Sequence, residues 1–478
     1  MTTQATATLP TSAEMLASIF RPNPNEADYA ITTIEGEIPR DLNGTLFRNG
    51  PNQKIPPSAG AGALHVFDGD ALVHAIRFED GKAHHLSRFA RTEGFEAAEN
   101  GGIYRGGINV PAESPADESP SSYQPNTNIV FHGGRLLALV EVAPPFEMDA
   151  ATLASKGTWD LDGRMLGLST TAHPKIDGRT GQMLIHGYQP IEPYVQLYVV
   201  EPDGTVSLAE AVEAPWPSMM HDFAITENYV IFPLGSVHFD LEPMLDGRGF
   251  GEAVKGVDRN MKFGVRRREP GSPTTWIDVP STGFMFHPGN AYEKDGKIIM
   301  DACTYENAQG LLDELRILRS GTTESAGGFA AHPYLYEIDP EAGTCSERKL
   351  AETTAEFPRL DDRLVGYENQ YGYAATAEPG DGSGSLFRRI TKYDRKNGTS
   401  VHRDTRDGQW VGEPVFVPRA LDAAEDDGFL LNLVYDANTD RTAVDVLDAR
   451  SIDSAPLARL WLRERIALGF HGNFVRAT

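Results

Sequence analysis

The chain has 478 residues, 40% of them hydrophobic, with 47 glycines, 32 prolines and a formal net charge of -25. That is material for one large core or two ordinary ones, and the glycine and proline content points to short strands and tight turns, not to a helical bundle. The acidic balance, with a pI near 4.9, argues against binding nucleic-acid phosphates or anionic lipid, both of which need basic surface. Two cysteines without CxxC spacing, Cys303 and Cys345, exclude a disulfide framework or a zinc–thiolate site and suit a reducing compartment. No Lys or Arg precedes Arg21, and no apolar stretch approaches ~18 residues, so neither a secretory signal nor a membrane span is expected. A cytoplasmic location follows as the expectation.

Residues 1–11, "MTTQATATLPT", form a polar, low-complexity start expected to be disordered. A short helix over "SAEMLASIF" follows, with Ser12 as its cap. From there one phrase recurs: a β-rich run, a tight turn, another run. The turns are "FEDGK" (78–82), "FHGGR" (131–135), "EPDGT" (201–205), "EKDGK" (293–297) and "DRKNG" (394–398), beside strands such as "VQLYVVE", "KIIMDAC" and "PYLYEID". Hairpins spread over the whole length predict an all-β propeller, with a pair of sandwiches as the alternative. Residues 12–478 read as a single domain. Two stretches, near 239–275 and 306–332, read as cap insertions, with "GLLDELRILRS" in the second helical.

Four of the 13 histidines share a setting, with apolar strand residues on one side and a turn or small residue nearby. They are His173 in "TTAHPKID", His221 in "SMMHDFAIT", His287 in "FMFHPGNAYE" and His471 in "LGFHGNF". The others, such as His84 and His85 in "GKAHHLS", lie mostly in polar or charged surroundings. Alone, each of the four reads more readily as a satisfied core histidine. Separations of 48, 66 and 184 residues exclude a local zinc motif. They suit a propeller, in which each inner strand brings one residue to a common axis. Neutral imidazoles bind Fe(II), Zn, Cu or Ni, whereas Mg or Ca would want carboxylates. Asp222, beside His221, invites a proton-relay role, but strand neighbours face opposite ways, so a backbone bond at the strand end is expected.

With these motifs, "IEGEIPRDLNGTLFRNGPN" (34–52), "LHVFDGDALVHAIRF" (64–78), "EFPRLDDRLVG" (356–366) and "GEPVFVPR" (412–419), the chain resembles the carotenoid cleavage dioxygenase family. That family includes lignostilbene dioxygenases and isoeugenol- or vinylguaiacol-cleaving oxygenases. The resemblance implies a seven-bladed β-propeller with helices and loops capping one face. It implies Fe(II) held by His173, His221, His287 and His471, with Glu141, Glu356 and Glu413 behind them as acceptors for the distal ring N–H. It further implies oxidative cleavage of a conjugated C=C bond by O₂ into two carbonyl products. Thr127 matches a residue whose methyl crowds one open metal position. The stilbene and isoeugenol branches activate a 4-hydroxyl with a tyrosine and a lysine. Tyr104 matches the tyrosine, but Val140 stands in place of the lysine, which leaves an apocarotenoid or a small aryl alkene as substrate. A homodimer is compatible with the resemblance. The alternatives are a stilbene-cleaving oxygenase, a ferrous isomerohydrolase, a metal-dependent propeller lactonase with carboxylates at its axis, and a non-catalytic propeller scaffold.

Overall fold

In the computed structural model, residues 12–54, 65–101, 123–246, 250–318, 330–378 and 386–477 are described. Their strands form seven radial sheets, the blades of a propeller. Blade 2 runs outward as Asn128–His132, Arg135–Leu139, Phe146–Met148 and Ser155–Thr158. Blades 3, 4, 5 and 6 begin at the axis with Lys175–Ile176, Ala224–Ile225, Phe284–Lys294 and Thr354–Arg359. Blade 7 has Gln409–Val411 and Val415–Pro418 one after the other along one edge of Gly428–Asp436.

The ring closes twice. The last strand, Gly472–Arg476, pairs with Gly44–Arg48 to complete blade 1. Thr33–Gly36 pairs with Ala458–Trp461 on the outer side of blade 7. Early and late strands are thereby joined in two shared sheets, which closes the ring of blades. The closure brings Gly50 against Gly469: a Cβ on Gly50 would stand 2.4 Å from the Gly469 Cα. That contact, with the bond from Asn49 N–H to the His471 carbonyl (2.9 Å), fixes the approach of the final strand.

Local sequence explains the blades. The turns predicted at 78–82 and 293–297 place Asp80 and Gly81 (φ 48 and 75) and Asp295 and Gly296 (φ 52 and 80) in the left-handed region. An Asp-Gly pair adopts that conformation at low cost, and it matches the twist of the flanking strands. Middle strands such as Val195–Val200 are buried throughout, whereas the outer Thr344–Lys349 alternates exposed and half-buried positions. The core is accordingly divided into wedges between blades. Val130, Leu137, Ile185 and Tyr198 fill one between blades 2 and 3, and Ile231, Phe263, Met300 and Tyr336 another between blades 4 and 5.

Some expectations need correction. Residues 218–223 are buried but irregular, and only Ala224–Ile225 pairs as a strand. Their apolar character reflects proximity to the axis, not a ladder. The stretch 239–275 divides: helices Glu242–Leu245 and Phe250–Ala253 and the strand Val254–Gly256 lie outside the blades, but Lys262–Arg267 and Thr274–Asp278 belong to blade 4. Their arginines hid the pattern; Arg266 is buried against Glu210 of blade 3. His85 is fully buried, with its Nε2 3.0 Å from His74 Nδ1 and its Nδ1 3.0 Å from the Tyr29 hydroxyl. The helix expected near 310 spans Ala308–Ile317, capped by the Asn307 side chain and bonded through Gln309 to Gly256. The expected helix near Ser12 spans Ser12–Ala17. Among the described residues, no helix is long and apolar enough to cross a membrane.

Candidate metal centre

Each blade delivers one chemically distinctive side chain to the top of the axis. His173 lies just before the inner strand of blade 3, His221 before that of blade 4, His287 within that of blade 5, and His471 immediately before the closing strand of blade 1. Glu141 follows the second strand of blade 2, Glu356 lies in the inner strand of blade 6, and Glu413 precedes Val415–Pro418 of blade 7. At His287 the ladder is irregular, with register shifts between Met285 and His287 and between Pro288 and Asn290. Such bulges re-aim a side chain.

The four imidazoles converge: one nitrogen from each lies within 4.8 Å of the others. His173 packs against the other three at ring-centroid distances of 4.4–5.0 Å. Three rings are held from behind. His221 Nδ1 lies 3.0 Å from Glu141 Oε2, His287 Nδ1 2.5 Å from Glu356 Oε2, and His471 Nδ1 3.0 Å from Glu413 Oε1. A carboxylate accepting from Nδ1–H leaves the Nε2 lone pair pointing at the centre. The His287 Nε2 is buried and has no hydrogen-bond partner, and the His173 and His221 Nε2 atoms are 2.9 Å apart. Two nitrogens at right angles on one ion, with bonds of ~2.1 Å, would have about that spacing. The donor set fits a divalent metal of the imidazole-binding class.

The electrostatics agree. Burial, reinforced by the neighbouring imidazoles, holds the His173 pKa well below its ordinary value. Burial lowers His471 to about 3 despite Glu413. At His221, burial also works downward, but Glu141 overcomes it and the pKa is raised. Burial would raise Glu413; Arg359, His471 and Arg48 overcome it and hold the carboxyl far below its ordinary range.

These two arginines were not found from sequence. Arg48 Nη1 lies 3.0 Å from Glu413 Oε2 and Arg359 Nη1 3.2 Å from Oε1. The available signal was the charge closing the apolar strand "GTLFR", buried without a local partner. Asp222 accepts from the Phe223 N–H as expected, at 2.6 Å, and also pairs with Lys175 at 2.8 Å. It does not reach an imidazole through a hydrogen bond.

A cavity opens on the cap side of the histidines. Phe67, Thr127, Val140, Phe286, Tyr305 and Leu315 line it, and it reaches His221, His287 and His471. Thr127 and Val140 thus stand beside the centre; Tyr104 lies outside the described residues. The cap helix Ala308–Ile317 supplies Leu315, whose carbonyl accepts from His65 Nε2 at 2.6 Å.

Comparison with known proteins agrees with this geometry. The profile of the retinal pigment epithelial membrane protein family (RPE65) matches residues 20–476. An apocarotenoid-15,15'-oxygenase of Synechocystis sp. is 34% identical, over 96% of this chain and 95% of its own length. The crystal structure of the cobalt-substituted Synechocystis enzyme superposes with a TM-score of 0.85, covering 98% of this chain and all of that one, at 31% identity. An isoeugenol monooxygenase of Pseudomonas putida is 30% identical over 98% of both chains. The crystal structure of a Pseudomonas brassicacearum lignostilbene dioxygenase gives a TM-score of 0.86 at 29% identity, over 98% of this chain and 99% of that one.

Proposed function

The chain belongs to the retinal pigment epithelial membrane protein family, which embraces the carotenoid oxygenases, and on that premise we propose a non-haem Fe(II) dioxygenase that splits a conjugated C=C bond. One alkene and one O₂ give two carbonyl products, so the atoms balance without an organic cofactor. The convergence of four imidazoles, three of them backed by buried carboxylates, carries this reading.

His173, His221, His287 and His471 would hold the iron, and the bound ferrous ion would supply the activation of dioxygen. Everything else falls to the chain. Glu141, Glu356 and Glu413 keep three imidazoles in one tautomer and orientation. Phe67, Phe286 and Phe470 exclude water and present an apolar surface to a flat, conjugated substrate. Thr127 narrows the space beside the ligands.

The substrate class proposed is an apolar conjugated alkene, either an apocarotenoid or an aryl alkene of the isoeugenol or vinylguaiacol type. Val140 supports this reading because it lines the chamber and carries no ammonium to stabilise a phenolate. Residues 12–478 are read as one catalytic unit.

The test is product analysis after anaerobic Fe(II) loading, with ¹⁸O₂ and a panel of apocarotenoids, stilbenes and vinyl phenols. Two labelled carbonyl fragments from one substrate are expected. Turnover that survives complete metal removal, or hydrolysis of lactones in place of alkene cleavage, would overturn the reading.

A further inference from the structure

Two cavities meet at the imidazoles, from opposite ends of the propeller axis. The alkene chamber takes residues that precede the inner strands or cap them, such as Asn126, Thr127 and Phe470. The second, with a volume of about 230 Å³, takes residues at and beyond the axial histidines and Glu356 down those strands: 173–176, 222–225, 287–291, 357–360 and 473–475. His287 and His471 line both, while His173 lines only the second. At its far end stand Phe131 and Asp362, both exposed. The second cavity therefore leads from solvent to the ligands along the axis.

The two walls differ in chemistry. Around the chamber the residues are mostly aromatic and aliphatic. Along the axis polar groups interrupt the apolar lining: Asn128, Asn290 and Asn473, the pair of buried Asp222 with half-buried Lys175, and Arg359 with Asp362 and Glu413. With Arg48 behind Glu413, three carboxylates meet three cations there, so the wall offers a dication polar and charged neighbours with no net positive charge against it.

We propose that this axial cavity is the path by which the hydrated divalent metal reaches and leaves the four histidines, separately from the alkene chamber. A dication gives up its water reluctantly, and crossing an apolar wall would strip it without compensation. The axial wall lets it keep polar neighbours until the imidazoles replace its water. Metal exchange then stays open while an alkene fills the chamber. The inference rests on the metal-centre reading above.

The test follows Co(II) uptake by metal-free protein through the visible absorption of imidazole-bound cobalt, and its release to a chelator. Ile176, half-buried and on the axial lining, makes no hydrogen bond to a ligand. Ile176→Trp is expected to slow uptake and release by the same factor and leave equilibrium affinity unchanged, as narrowing a path must. Lys175→Met removes a fixed positive charge and is expected to speed uptake about threefold to tenfold, a difference that shrinks with added salt. Leu315→Trp, in the chamber, is expected to change KM for the alkene and leave cobalt uptake as it was. If Ile176→Trp does not fold, uptake by the parent with its chamber filled by a non-cleavable polyene serves instead, and an unchanged rate is expected. Slower uptake with the chamber filled or in Leu315→Trp, or an unchanged rate in Ile176→Trp, overturns the axial path. A parent that takes up no cobalt, or a His221→Ala variant that takes it up as tightly, defeats the metal-centre reading itself and the path with it.

Discussion

Replacing Glu413 by Gln removes one charge and should do two kinds of damage, which the same change at Glu356 separates. Glu413 is buried and takes four donors: His471 Nδ1 at 3.0 Å, Gly472 N–H at 2.8 Å, Arg48 at 3.0 Å and Arg359 at 3.2 Å. A glutamine turns one acceptor oxygen into a donor, so two of the four donors face another N–H. Two guanidiniums, with side-chain exposures of 3% and 13%, lose their shared countercharge. Breaking a buried pair in this way costs about 3–5 kcal/mol. At Glu356 the two close donors, His287 Nδ1 and the Phe357 N–H, both sit on Oε2, which leaves Oε1 the freer side, and the Tyr305 hydroxyl also faces the carboxylate. A glutamine there can keep the occupied oxygen and turn its NH₂ toward the freer side, at about 0.5–1.5 kcal/mol. Both variants should lose about 10–100-fold in metal affinity, the usual effect of removing a partner behind a ligand. The assay is thermal unfolding of metal-free protein beside a cobalt titration. In the metal-free state, Glu413→Gln should melt about 2–4 °C below Glu356→Gln, since the costs differ by about 1.5–4.5 kcal/mol and a domain of this size moves by roughly 1 °C per kcal/mol. Equal melting temperatures would refute the claim that Glu413 anchors two buried arginines as well as a ligand.

His221→Ala should abolish stoichiometric metal binding, measured by metal analysis after anaerobic loading, and retention of one ion per chain would refute its role. Tyr104→Phe should leave apocarotenoid cleavage unchanged but cost a phenol-reading enzyme about 1–3 kcal/mol in kcat/KM. Val140→Lys should raise activity on hydroxystilbenes, and no gain, together with unaltered vinyl-phenol cleavage in Tyr104→Phe, would remove both positions from the account of specificity. Burial depresses the folded His85 pKa from 6.5 to about 4. Between those values the unfolded chain binds a proton that the folded one refuses, so stability present above pH 6.5 is lost as pH falls, by up to about 3 kcal/mol near pH 4. His85→Gln should flatten the decline of melting temperature over that window, and an unaltered slope would refute the assignment.

What could be read from residues alone follows from the geometry of a propeller. Hairpins are local, so Asp-Gly turns and alternating strands announce the blades one at a time. The inner strands are different. Lys175–Ile176 and Ala224–Ile225 have two residues each, too few for a period to show, and the apolar approach to His221 looked like a strand because it is buried. Charges misled where their partners lie in the next blade, as Arg266 does with Glu210. Arg48 is distant in sequence from Glu413 because closure of the ring, and no local pattern, sets them side by side.

Pairing at the centre is the least legible part, for a reason of number. Seven blades bring seven side chains to the axis, four imidazoles and three carboxylates, so one imidazole must go without. Motifs name the members of each set but not the matching, which depends on order around the ring. Blades 5 and 6 are neighbours, and so are blades 1 and 7, which gives His287 to Glu356 and His471 to Glu413. Glu141 of blade 2 then has blade 3 beside it, yet it binds His221 of blade 4. His173 is left without a carboxylate, held by its backbone N–H on Thr171 Oγ1 at 2.9 Å and by contact with three other rings. It is also the one ligand whose cavity exposure is wholly axial. An imidazole with no carboxylate behind it is the least constrained of the four, and it faces the side from which a metal would arrive.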